Sequence, residues 1–210
     1  MQMLRSPVLF SIRACFAVLA LATLSLLFVS KPVAAQVTAF KQAVAEAASK
    51  DKDIAAFYQA NKYKAIWTGK GNKDRQRREA LLNAVTNAAD HGLPVSRYNP
   101  EQLKAVLKQA RSPRDRGAVE VEMSRLFLRY ARDIQTGVLV PRKIDAGLVR
   151  EVPYRNRTSL LKTFSKSSPK NYIKKLAPSS AEYARLMKEK MRFEKIVGKG
   201  GWGPKVQAKS

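Results

Sequence analysis

Cysteine is nearly missing from this chain. The only one is Cys15, and histidine also occurs once, as His91. A single thiol rules out a disulfide framework, so the fold must rest on its apolar core. Zinc centres are built from several His or Cys ligands, so no metal site is expected. Acidic residues are scarce too: 16 Asp and Glu stand against 40 Lys and Arg, for a formal charge of +24. There is no internal repeat and no run that reads as a β-strand. No glycine-rich loop precedes a helix in the way a phosphate cradle requires.

What is present begins with a leader. Arg5 and Arg13 give it positive charge, and the stretch from Ala14 to Val29 is apolar apart from Thr23 and Ser25. Val33-Ala34-Ala35 places small or modest residues at the −3 and −1 positions of a cleavage point before Gln36. Residues 1–35 therefore read as a secretory signal peptide, and the expected location is the bacterial periplasm. The alternative is an uncleaved membrane anchor, although the apolar run falls short of the ~20 residues a spanning helix needs. Cleavage would remove Cys15, leaving a mature chain with no thiol.

The leader carries Arg5, Arg13 and Lys31 and no acid, so an excess of +21 stays with the mature chain. In a cytosolic protein this balance would suggest nucleic acid. An exported one meets anionic lipid head groups and the carboxylates of peptidoglycan stem peptides instead. The basic stretch 142–175 holds Tyr154, Phe164 and Tyr172 among its charges, a mixture that suits single strands. The leader argues against that use, so no nucleic-acid partner is expected, and the aromatics fit local core packing.

The pattern is helical almost throughout, and the fold class expected is all-α. Val37, Phe40, Val44 and Ala47 follow a three-to-four spacing. Ile54, Phe57 and Tyr58 start a second apolar face that runs toward Tyr63, Ile66 and Trp67. After a loop at 68–72, a long helix is expected from about Asp74, with Leu81, Val85, Ala88 and Ala89 on its inner face. Asp74, Arg75, Arg77 and Arg78 would solvate its start. His91-Gly92 followed by Pro94 is a stop signal, and His91 is expected beside the last carbonyls of that helix. Asn99-Pro100-Glu101-Gln102 reads as a capped start, with Leu103, Val106 and Leu107 buried behind it. Arg111 to Gly117 reads as a charged loop. The clearest helix runs from about Ala118 to Thr136, with Met123, Leu126, Phe127, Tyr130 and Ile134 in one core stripe and Arg125, Arg129 and Arg132 facing elsewhere. Short helices are expected at Ser159 to Phe164 and Asn171 to Leu176. A final helix opens on the capping-box pattern Ser179-Ser180-Ala181-Glu182 and carries Tyr183, Leu186, Met187 and Phe193 to a stop at Gly198.

No motif rises to a catalytic site. Ser-x-x-Lys, which activates a serine in penicillin-binding enzymes, occurs at Ser49/Lys52, Ser159/Lys162 and Ser167/Lys170. About 1.6 such matches arise by chance in a chain of this composition, and the accompanying Ser-Asp-Asn and Lys-Thr-Gly elements are absent. Glu120 and Glu122, two apart on a helix, would point in different directions rather than converge on one substrate. No catalytic, cofactor-binding or metal-binding residue is assigned, and no cofactor is expected.

Five blocks, in order, carry a resemblance. They are Phe57-Tyr58-Gln59-Ala60-Asn61-Lys62-Tyr63-Lys64-Ala65-Ile66-Trp67; Leu81-Leu82 and Ala88-Ala89-Asp90-His91-Gly92-Leu93-Pro94 with Tyr98; Tyr130-Ala131-Arg132-Asp133-Ile134-Gln135-Thr136-Gly137 with Pro141-Arg142; Leu176-Ala177-Pro178 with Tyr183 and Leu186; and Gly200-Gly201-Trp202. Across roughly 54–204 the chain resembles the N-terminal helical scaffold domain of large Gram-negative murein L,D-transpeptidases. In those enzymes a small peptidoglycan-binding module and a catalytic domain follow. The catalytic domain bears a histidine and a Ser-His-Gly-Cys type motif, whose cysteine forms an acyl-enzyme on a tetrapeptide stem before a 3→3 cross-link is made.

Behind the signal peptide read at 1–35, the resemblance implies a scaffold domain at 36–197 and a Gly/Trp linker at 198–210 leading toward a catalytic region that this sequence does not include. No active-site residue of the family can be carried onto it, because a covalent mechanism of this kind needs a thiolate beside a base. The expected function is that of a non-catalytic scaffold module in cell-wall cross-linking, partnered by peptidoglycan or by a transpeptidase catalytic domain. The alternatives are a periplasmic adaptor for murein or another cell-wall enzyme, a hydrolase or transferase of unrelated mechanism, and a basic membrane-surface protein.

Overall fold

The computed structural model describes residues 33–149, 153–201 and 203. Residues 1–32, which hold Cys15 and nearly all of the expected leader, lie outside these, as do Trp202 and residues 204–210. The chain divides into two units, residues 1–38 and 39–210. Of the first, only residues 33–38 are described, as the opening turns of a helix; the core belongs to the second.

Among the described residues the fold is all-α, as the sequence implies. The helices are α1 (Val33–Ala48), α2 (Lys52–Ala60), α3 (Asn72–Thr86), α4 (Pro100–Gln109), α5 (Pro113–Thr136), the single turn α6 (Pro141–Ile144), α7 (Arg157–Lys166), α8 (Pro169–Lys174) and α9 (Ala181–Gly198), with 3-10 turns at Ala88–His91 and Val95–Arg97. None of them is long and apolar enough to cross a membrane.

The central element is α5. Its stripe of Met123, Leu126, Phe127, Tyr130 and Ile134 is buried as the spacing predicts. Phe127 stacks on Phe164 of α7 with ring centres 4.5 Å apart, and Phe164 stacks on Trp67 at 5.0 Å. Further along the stripe Tyr130 meets Tyr98 edge to face at 5.8 Å. Such ring pairs add about 0.5–1.5 kcal/mol beyond the area they bury. The helix begins at Pro113, earlier than the Ala118 start that its apolar spacing predicts. Pro113 to Gly117 is helix rather than loop: Ser112 caps the Asp115 N–H, and Asp115 returns a bond to the Ser112 N–H. Pro113 sits at the first helical position, where its missing N–H costs nothing.

Gly117 then falls inside the helix, where it opposes α1. A methyl group there would stand 2.6 Å from the Ala43 Cβ and 2.8 Å from the Phe40 carbonyl oxygen. Close approach of two backbones is the reason for glycine at a position that otherwise favours alanine.

Four further expectations need correction. The apolar face from Ile54 to Trp67 is not one helix, because α2 stops at Ala60 and the chain reverses through Lys62 and Tyr63, both left-handed at φ 54 and 55. Asn99 does not cap α4 with its side chain; it is left-handed, at φ 44, in front of Pro100. The cap of α9 is Ser180, which accepts from the Tyr183 N–H, so no Ser179–Glu182 box forms and Glu182 pairs with Arg185 instead. Ala89 is exposed in the 3-10 turn rather than on an inner face.

Candidate functional site

Two carboxylates are buried in α5, and both are structural. Glu120 is fully enclosed. Its oxygens accept from the Ile66 N–H (2.6 Å), the Trp67 N–H (3.1 Å), the Thr68 N–H (2.7 Å), the Thr68 hydroxyl (2.8 Å) and the Tyr58 hydroxyl (3.0 Å). Burial raises its pKa, against the pull of the Ile66 and Thr68 donors. Ser124, one turn on, accepts from the Trp67 indole N–H at 2.8 Å. This network pins the loop that follows the left-handed reversal, and it leaves no oxygen of Glu120 open to a substrate. Glu122 is exposed, so the two glutamates diverge as expected. Asp133 is equally enclosed and takes the Arg97 Nε at 2.6 Å and the Tyr98 hydroxyl at 3.0 Å.

The arginines at the start of α3 do not simply solvate it. Arg77 is buried and donates to the Ile66 carbonyl, to Asp74 and to the Ser165 carbonyl of α7, while Arg78 donates to the Trp67 and Gly69 carbonyls. Guanidinium groups reach several carbonyls at once, and the polar sequence around them conceals this.

The Ser-x-x-Lys matches carry no chemistry. The Ser49 and Ser167 hydroxyls donate to the Glu46 and Thr163 carbonyls, and Ser159 lies in the first turn of α7, where its N–H takes the Asn156 cap. His91 is not simply the end of a helix. Its Nδ1 lies 2.6 Å from the Tyr183 hydroxyl of α9, and the two rings are nearly parallel. Burial lowers its pKa, with Lys190 acting in the same direction and Asp90 opposing. Beside it runs a groove of about 730 Å³ bordered by Asn83, Asn87, Ser168 and Lys170. Tyr130 opens into this groove with its hydroxyl unbonded among the described residues, and burial raises its pKa to about 12.

The most distinctive surface is a second cleft, of about 740 Å³, on the outer side of α5. Six arginines and two aspartates line it. Arg125, Arg129 and Arg132 sit on its floor at i, i+4 and i+7, one face of the helix, with Leu128 buried between them. The segment 153–157 forms a wall, tied down where Gln135 donates to the Pro153 carbonyl at 2.9 Å. Tyr154 in this wall is 64% exposed, so of the three aromatics in the basic stretch it is not core, whereas Phe164 is buried. The Arg132 guanidinium lies over the Tyr154 ring, 5.4 Å from its centre.

The six arginines are not equivalent. Arg157 is occupied by Asp51 and Asp53, and Arg97 by Asp133. Burial raises the Asp51 pKa, but the Arg157 bond and charge and the Ile54 N–H outweigh it and hold the group below its ordinary value. Arg125 reaches the Ala47 carbonyl and Glu122. Arg129, Arg132 and Arg155 have no acidic partner among the described residues. The i, i+4, i+7 arginine spacing was visible in the sequence, but nothing there showed that 153–157 would fold across it.

No group of three or more His, Cys, Asp or Glu among the described residues is arranged to hold a metal ion. In comparison with known proteins, a family model described as Scaffold domain matches residues 52–189. No curated protein and no solved structure matches the chain.

Proposed function

Since the chain belongs to the Scaffold domain family, we propose that it is the non-catalytic scaffold module of an exported peptidoglycan L,D-transpeptidase engaged in cell-wall cross-linking. The observation that carries this reading is where the resembling blocks fall. Trp67 and Tyr58 from the first block, Leu81 and Tyr98 from the second, Tyr130 and Asp133 from the third and Leu176 from the fourth are all buried. They are residues of a platform rather than of an active centre: Tyr58, Trp67, Tyr98 and Asp133 spend their polar side-chain groups on neighbouring protein groups.

On this reading the chain works in the periplasm, delivered by the leader at 1–35. Its +21 excess lies against acidic murein and keeps a catalytic domain close to its substrate. Murein analysis tests the proposal. Cells lacking the chain are expected to show a smaller share of 3→3 cross-links, and an unchanged share overturns it. The purified chain should sediment with sacculi at low salt; failure to do so removes the murein-contact part. Turnover of tetrapeptide stems by the chain alone overturns the non-catalytic part.

A further inference from the structure

We propose that the arginine cleft along α5 binds a peptide bearing two or more carboxylates, gripped by Arg129, Arg132 and Arg155. Three like charges gathered on one cleft repel one another, and the acids among the described residues do not relieve them. Asp51, Asp53 and Asp133 are already engaged by Arg157 and Arg97. Of the three remaining guanidiniums, Arg129 gives one N–H to the Arg97 carbonyl at 3.4 Å; planar forks of this kind match carboxylates two bonds at a time.

The shape selects among anions. The floor from Arg125 to Gln135 spans about 15 Å at the helical rise, the length of about four or five extended residues. A bilayer is flat and does not enter a concave groove between α5 and the 153–157 wall. An unbroken polyphosphate chain would meet Asp51 and Asp53 at the Arg157 end, whereas discrete carboxylates need only reach the arginines. The exposed ring of Tyr154 offers apolar surface for the carbon skeleton between charges. The inference does not depend on the transpeptidase reading, because a scaffold serving another enzyme would hold the same cleft.

The test is titration of fluorescein-labelled tetraglutamate with the full chain, read by anisotropy. Saturable binding is expected. The triple variant Arg129→Gln, Arg132→Gln, Arg155→Gln should weaken it at least about tenfold. Lys188→Gln, Arg192→Gln, Lys195→Gln, which removes equal charge from α9, should leave it unchanged. All six side chains are at the surface, and matching circular dichroism melts would confirm that the variants fold. Equal weakening by both triple variants would reduce the site to bulk charge and overturn the proposal. So would the absence of binding, or tighter binding of tripolyphosphate or phosphatidylglycerol vesicles than of the peptide. Since the probe contains no murein and the readout involves no cross-linking, this result is separate from the fate of the transpeptidase reading.

Discussion

Helices α5 and α9 read alike in the sequence and differ completely in the fold. Both are capped by serine, both carry aromatic and aliphatic residues at helical spacing, and both are studded with Lys and Arg. Yet α5 buries 13 of its residues, among them two carboxylates, whereas α9 buries none. Leu186 and Val197 are 70% and 66% exposed. An amphipathic pattern makes a helix possible; whether its apolar face leaves water depends on what lies opposite. α5 has α1, α2, α4 and α7 around it. α9 meets the body where Tyr183 reaches His91, and its cap and local pairs such as Lys190–Glu194 help to hold it.

The sharpest way to break this comparison is to cut into α5. Phe127→Ala should cost about 3–5 kcal/mol. Glu120→Ala should cost a similar amount, because several buried N–H and O–H donors lose their acceptor together. Urea midpoints measure both; a loss below about 1 kcal/mol would contradict the enclosed network. Gly117→Ala comes next. In an isolated helix it would gain about 1 kcal/mol. Against the Phe40 carbonyl it should destabilise by about 1–3 kcal/mol, and a raised melting temperature would refute the close crossing with α1.

The α9 side should respond weakly. His91→Gln should cost about 1 kcal/mol near neutral pH through the lost contact with Tyr183. Because the folded pKa of His91 lies below its ordinary 6.5, its contribution is complete above that value and is lost as pH falls through the folded pKa. The gap between wild type and variant should therefore narrow on acidification, and a gap that widens would reverse the assigned shift. Phe193→Ala should lie within about 0.5 kcal/mol of wild type, since that ring is already 43% exposed.

Much of the helical architecture was legible because periodicity and punctuation are local. Met123 to Ile134 declared a buried stripe, and Gly92, at φ 73, took the left-handed position that its place after His91 demanded. The start of α5 is also a local matter: Ser112-Pro113-Arg114-Asp115 is itself a capping signal, set among charges and a proline that otherwise suit a loop. Arg77 and Glu120 were different. Each looked like an ordinary solvated residue, and each turned inward because a distant loop supplied complementary groups. No spacing rule contains the information that Ile66, Trp67 and Thr68 will aim three N–H groups at residue 120.

The cleft shows where the division falls. Composition alone settled that the chain is strongly basic, and helical spacing placed Arg125, Arg129 and Arg132 on one face of one helix. Which arginines would lack an acidic partner among the described residues was decided only in three dimensions. Asp51, Asp53 and Asp133 chose Arg157 and Arg97, across separations of 36 to 106 residues, and segment 153–157 folded over the face they left. Charge and periodicity are properties of the chain; pairing is a property of proximity, and proximity between distant residues exists only once the core has formed.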